Sequence, residues 1–158
     1  MLSSLVAPIL LLLFGELALP AQADDCTTFP SWTIKHFRSN ATDAVGSDGT
    51  ASFSLTNNLS GVTDDLKCKL EANYRCTIAG TPSDKNLTVT FAIRTASLQI
   101  SLDEVLNCPD RTTPLHVIGN EGLDLNCTEV MVPGGPYSCS LEEDTIQGAP
   151  VELAPGSN

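Results

Sequence analysis

Alternation constrains this chain more than any other feature. Ala51, Phe53 and Leu55 alternate with Ser52, Ser54 and Thr56. Leu87, Val89, Phe91 and Ile93 alternate with Thr88, Thr90 and Ala92, and Leu98, Ile100 and Leu102 with Ser97, Gln99 and Ser101. Successive side chains on a strand point to opposite faces, so period two means a strand buried on one side. Shorter runs of the same kind contain Trp32 and Ile34; Cys68, Leu70 and Ala72; Tyr74, Cys76 and Ile78; Leu115 and Val117; Leu123, Leu125 and Cys127; and Tyr137, Cys139 and Leu141. The segments 46-GSDG-49, 57-NNLSG-61, 80-GTPSD-84, 119-GNEG-122 and 133-PGGP-136 separate the runs with Gly, Asn and Pro, the residues that turns require. No window of about a dozen residues combines helical period with caps; at most 102-LDEVLN-107 makes one turn. About nine short strands, each with one apolar face, predict an all-β domain: a single antiparallel barrel or sandwich.

Six cysteines fall in phase with these strands or near their ends: Cys26, Cys68, Cys76, Cys108, Cys127 and Cys139. An even number in a small exported domain reads as a disulfide framework. A metal site would need closely spaced Cys or His pairs, but the chain has no C-x-x-C, and His36 and His116 stand apart. In 66-LKCKLEANYRC-76, a turn near residues 71–73 would set Cys68 opposite Cys76 across a hairpin, where neighbouring Cβ atoms come within about 4.5–5.5 Å. The closed loop is worth about 2.6 kcal/mol in the chain-entropy model. Likewise 133-PGGP-136 reverses the chain midway between Cys127 and Cys139. Cys26 and Cys108 remain, and a bridge between them would close the longest loop, worth about 4.5 kcal/mol. Six cysteines allow many other connectivities, so these pairings are the favoured ones among several.

The first residues carry an apolar run, Leu5 to Leu19, broken by Glu16 and followed by the small-residue site 20-PAQA-23. This predicts a signal peptide over residues 1–23, cleaved after Ala23. The run is short of the roughly 20 residues that span a bilayer. The expected organisation is then a secreted β-barrel domain over 24–141 and an acidic, flexible tail over 142–158. Of the formal charge of −11, only the charge of Glu16 leaves with the leader. So acidic a chain does not hold nucleic acid through its phosphates and is repelled by anionic membranes. Asn40, Asn58, Asn86 and Asn126 each begin an N-x-[ST] sequon. In a eukaryotic secretory chain these are glycan acceptors on the surface. Asn126 is the poorest, because Cys127 beside it folds into a bridge.

The order of these features resembles the fungal major-allergen β-barrel family of small secreted proteins. Cys26 precedes a Trp-x-Ile-x-x-Phe run, 32-WTIKHF-37, and the small-residue strand 50-TASFSL-55 follows. Then come Cys68 and the aromatic-x-Cys 74-YRC-76, the strands 87-LTVTFAI-93 and 98-LQISLDEV-105, and Cys127 and Cys139 around a Gly-rich turn. The match runs from about Cys26 to Leu141. The interval from Cys68 to Cys76 is shorter than that family's, and Cys108 is an addition. It gives Cys26 a partner within the chain and argues against a disulfide-linked dimer. The resemblance implies a compact barrel without cofactor or established active site, found at the cell surface and in the medium and associated with plant defence and allergy. It supplies no catalytic residues.

The expected function is therefore a non-enzymatic extracellular effector, elicitor or allergen-like binding protein, a monomer or weak dimer, with an extracellular protein as partner. The loops 57-NNLSGVTDD-65 and 107-NCPDRTTPLHVIGNEG-122 are its candidate binding segments, since binding residues favour loops on a rigid scaffold. Alternatives are a carrier of a small apolar or phenolic ligand in a barrel interior and a structural component of a wall or spore surface. A hydrolase would draw on the pairs Asp103/Glu104 or Asp64/Asp65, but adjacent strand residues face opposite ways, so neither pair is a dyad. No G-x-S-x-G occurs, and neither histidine has an evident nucleophile partner. Expression in a eukaryotic host tests the leader: N-terminal sequencing of the medium should begin at Asp24, and a retained residue 1–23 segment would overturn the assignment.

Overall fold

The computed structural model describes residues 26–41, 49–94, 96–128 and 137–151. The expected leader, the turn at 133–136 and the last residues of the expected tail, 152–158, lie outside them. Ten strands form: β1 (Ser31–Ala41), β2 (Gly49–Asn57), β3 (Thr63–Lys69), β4 (Arg75–Ala79), β5 (Leu87–Arg94), β6 (Ser97–Leu106), β7 (Leu115–Asp124), β8 (Asn126–Cys127), β9 (Tyr137–Gln147) and β10 (Ala149–Val151). They build two five-stranded sheets of order β3-β2-β1-β9-β8 and β10-β7-β6-β5-β4, and every pairing is antiparallel. The expected all-β antiparallel class is what forms, as a sandwich; among the described residues no ladder closes the sheets into a barrel.

The alternating residues supply the filling. Ile34, Phe37, Phe53 and Leu55 of the first sheet meet Val89, Phe91, Leu98 and Leu102 of the second, all buried. At the centre three rings interlock. Phe37 lies 5.6 Å from Phe91 and 5.9 Å from Phe53, and Phe53 lies 5.8 Å from Phe91. Two of these contacts are edge-on, the geometry that the ring quadrupole favours.

Strict alternation along β1 would turn His36 inward. Instead Lys35 pairs with Ser54 and Arg38 with Ser52, so two residues oppose Phe53. This is a bulge. His36 takes a positive φ of 52° and points to solvent, while Phe37 enters the core. The x-x in 32-WTIKHF-37 is the mark of that extra residue.

The bridges join Cys26 to Cys108, Cys68 to Cys76 and Cys127 to Cys139. Cys127 and Cys139 are ladder partners of β8 and β9, with Cα atoms 4.0 Å apart. Cys68 and Cys76 differ from the hairpin expectation. The chain does turn tightly, with Glu71 bridged to Arg75 and positive φ at Asn73 and Tyr74. But β3 spends its ladder on β2 and β4 spends its ladder on β5. The bridge therefore links the edge strands of two different sheets, with Cα atoms 6.4 Å apart. Cys26–Cys108 likewise ties the segment before β1 to the segment after β6, one in each sheet.

The expected tail needs correction up to Val151. β9 continues to Gln147 beside β1, and β10 then pairs with β7. The chain thus crosses from one sheet to the other at Gly148. Acidity had suggested a solvated tail, but Ile146 is fully buried, and Glu142 and Glu143 pair with the basic side chains of β1. Lys35 meets Glu143 at 3.3 Å, and Arg38 meets Glu142 at 2.6 Å. Gly148 is needed at the crossover, because a Cβ there would lie 2.2 Å from the Pro30 carbonyl and 2.8 Å from Val117 Cγ1. Gly148→Ala should destabilise by about 1–3 kcal/mol through this overpacking, and Phe91→Ala by about 3–5 kcal/mol. Denaturant unfolding checks both; an unchanged midpoint in Gly148→Ala would contradict the crossover geometry.

Candidate functional site

A cleft of about 260 Å³ opens at one end of the sandwich, where the two sheets separate. The first sheet contributes Trp32, Leu55 and Asn57, the β2–β3 loop contributes Ser60 and Val62, and β3 adds Asp64. The second sheet contributes Leu87 and the end of β6, Glu104 to Leu106, with Thr81, Ser83, Asp84 and Asn86 of the β4–β5 loop as the opposite lip.

Each lip is held by its own side chains. Asn57 Oδ1 accepts from the backbone N–H groups of Leu59 and Ser60 at 3.0 and 3.2 Å, and Asn57 N–H donates to the Val62 carbonyl at 2.9 Å. Gly61 takes a φ of 72°, the conformation for which the turn uses glycine. In the other lip Thr81 is buried; its N–H and hydroxyl both donate to the Asp84 carbonyl, and its oxygen accepts from the Asp84 N–H. Lys85 Nζ donates to the Thr81 carbonyl at 2.8 Å.

Two polar ties cross between the sheets. Asn57 Nδ2 donates to Glu104 Oε2 at 3.3 Å. Ser83 donates to Asp64 twice, from its hydroxyl at 2.7 Å and its N–H at 3.2 Å. Partial burial pushes the Asp64 carboxyl up, but hydrogen bonds from Thr81 and Ser83 and the Lys85 charge outweigh it and hold Asp64 below the usual carboxylate value. Glu104 is a buried carboxylate, 7% exposed. The fully buried Trp32 has an indole N–H without a hydrogen-bond partner.

The structure divides each carboxylate pair named from the sequence. Asp65 turns outward to accept from Ser54, and Asp103 turns outward to His116 Nδ1 at 2.9 Å. Asp64 and Glu104 turn into the cleft, joined there by Asp84. One carboxylate from each pair thus meets the other from a different sheet. Of the two candidate loops, 57–62 forms a lip, while 63–65 belongs to β3. In the second, only 107–114 is loop, anchored by Cys108, and 115–122 lies in β7, whose Leu115 and Val117 are buried. The lip at 80–86 was read only as a turn. Its signal was Thr81, a hydroxyl residue between glycine and proline, which nests under its own turn. All four sequon asparagines are exposed. Asn58 and Asn86 stand at the cleft end of the sandwich, Asn40 and Asn126 toward the other end, where β1 finishes and β8 lies.

Because Asp64 titrates lower when folded than unfolded, its bonds stabilise the fold above the ordinary carboxylate pKa, and that contribution fades as pH falls through its folded value. Carboxyl NMR titration should place Asp64 below 3.8, and Asp64→Asn should flatten the loss of stability in acid. A folded value above 3.8 would contradict the bonding described.

No family model matches the chain, and no curated protein matches it. Among solved structures, the crystal structure of the Alternaria alternata major allergen Alt a 1 is similar at 15% identity and a TM-score of 0.45. The alignment covers 78% of this chain and 96% of that one. At that score the likeness carries no functional inference.

Proposed function

We propose that this chain is an extracellular, non-enzymatic binding protein that receives its ligand or partner in the cleft between the β2–β3 and β4–β5 lips. The observation that carries the reading is the construction of the cleft. Both sheets wall it, Cys26–Cys108 ties the sheets near it, and its lips are loops with side-chain locks of their own. A preformed concave site on a rigid scaffold lowers the ordering cost of binding. Leu59 and Val62 add apolar surface on one lip, 53% and 42% exposed. Three disulfides suit an oxidising compartment, and export through the predicted leader belongs to the same reading.

A carrier of apolar ligands in the interior is the weaker reading, since the Phe37, Phe53 and Phe91 rings fill the space between the sheets. Capture from extracellular fluid tests the proposal. Wild-type protein should enrich a partner that Leu59→Asp with Val62→Asp no longer enriches, while Ser52→Asp on the outer face retains it. Equal enrichment by all three would remove the cleft from the account.

A further inference from the structure

We propose that an N-glycan on Asn86 closes the cleft, so that occupancy of this one sequon decides whether the site is open. The inference rests on the cleft being the binding site and names how access to it is set.

Of the four sequon asparagines, Asn86 alone is part of the cleft lining. Its backbone is fixed there. Its N–H donates to Asp84 Oδ1 at 2.8 Å, and its carbonyl accepts from the Val105 N–H at 3.2 Å. These bonds hold it between the β4–β5 lip and the end of β6, two parts of the cleft wall. Asn86 is exposed, and among the described residues its side-chain amide makes no hydrogen bond. A substituent on Nδ2 therefore breaks no bond of the fold and starts from a fixed point at the cleft.

The other sequons lead elsewhere. Asn58 follows Asn57 at the opposite lip, but its amide is turned to β1. Its Nδ2 donates to Ser31 Oγ, and its Oδ1 accepts from Thr33, both at 3.0 Å. A glycan on Asn58 sets out from beside β1 and not from the cleft. Asn40 accepts from Thr50 at 3.1 Å, toward the other end of the sandwich, where Asn126 also lies.

The modification needs a lipid-linked oligosaccharide diphosphate as donor. Asn86 Nδ2 forms a bond to the anomeric carbon of the first sugar, and the bond from that carbon to the diphosphate oxygen breaks. The lipid diphosphate leaves, the amide loses one proton, and nothing is oxidised or reduced. A glycan is bulky and hydrophilic. At about 260 Å³ the cleft falls below the roughly 300–1,000 Å³ of drug-sized sites, so one sugar ring at its wall takes up much of the opening. Ser60 and Ser83, also in the lining, offer hydroxyls that a sugar can bond.

The test uses the disulfide-intact protein secreted by a eukaryotic host, labelled with nitrogen-15. Glycopeptide mass spectrometry should find Asn86 occupied; a bare Asn86 beside an occupied Asn40 or Asn58 would overturn the proposal. Access is then probed with a neutral gadolinium chelate, which speeds relaxation of the amides it can approach. Thr88→Ala removes the sequon and leaves Asn86 in place; Thr88 lies on β5 outside the cleft lining. The Ser60 and Val62 amides should relax several-fold faster in Thr88→Ala than in the glycosylated chain. Thr88→Ser keeps the sequon and should restore the shielding, while Asn40→Gln should leave it unchanged. Equal relaxation in Thr88→Ala and the glycosylated chain would overturn the closure. If that happens while the Leu59/Val62 variant still abolishes capture, the glycan assignment alone fails. If the shielding is present but Thr88→Ala and the glycosylated chain capture the partner equally, the cleft reading fails instead.

Discussion

Burial of Trp32 is the interaction on which the rest depends. Its ring sits fully buried at the start of β1 and packs into the corner where β9 ends and β10 begins. Only glycines admit it there: a Cβ at Gly119 would lie 2.9 Å from the ring and 2.8 Å from Ile146 Cγ2. The crossover at Gly148 brings β10 onto β7 and so joins the sheets on this side by the chain itself. The same residue is part of the cleft lining. Closing the corner and opening the cleft are two consequences of one placement.

On the opposite side the sheets are joined covalently. Cys68–Cys76 links β3 to β4, the two strands that flank the gap between the sheets. This answers why a chain sets a cysteine at each end of so short a run: residues 70–75 are a passage between sheets, and the bridge holds it. Exposed edges carry their own protection. β4, β8 and β10 are short, β10 contains Pro150, and β3 carries Asp64, Asp65, Lys67 and Lys69.

Strand positions and the buried face were legible in the alternation, because the strand period is a local property of the sequence. From Leu87 to Leu102 the in-out pattern follows the apolar positions closely. Cysteine phase and loop spacing were likewise legible. Which sheet each strand joins was not: the ladder of β3 with β2 and of β4 with β5 is chosen by packing across the whole domain, and so the hairpin reading of Cys68 and Cys76 was wrong about the sheets. The reading of 142–151 as tail failed because the acidic run 142–144 masked a strand that goes on to bury Ile146. The cleft was invisible for the same reason. Glu104 and Asp64 are 40 positions apart in sequence, and only the stacking of two sheets sets them in one space.

The outer face of the second sheet carries a hollow of about 390 Å³, but strand residues such as Arg75, Thr90, Gln99 and Gly122 line it rather than loops. Thr145, Thr33, Thr56 and Thr63 stand in register across four strands and bond one another in part, and the ion pairs of Lys35 and Arg38 with β9 are exposed and screened. On the proposed reading, recognition falls at the end of the sandwich. Amide hydrogen exchange by mass spectrometry, with and without the bound partner, tests this most directly. Slowed exchange in residues 57–62 and 80–86 is the predicted result; protection confined to strand segments away from the cleft, 38–41 or 97–101, would contradict it.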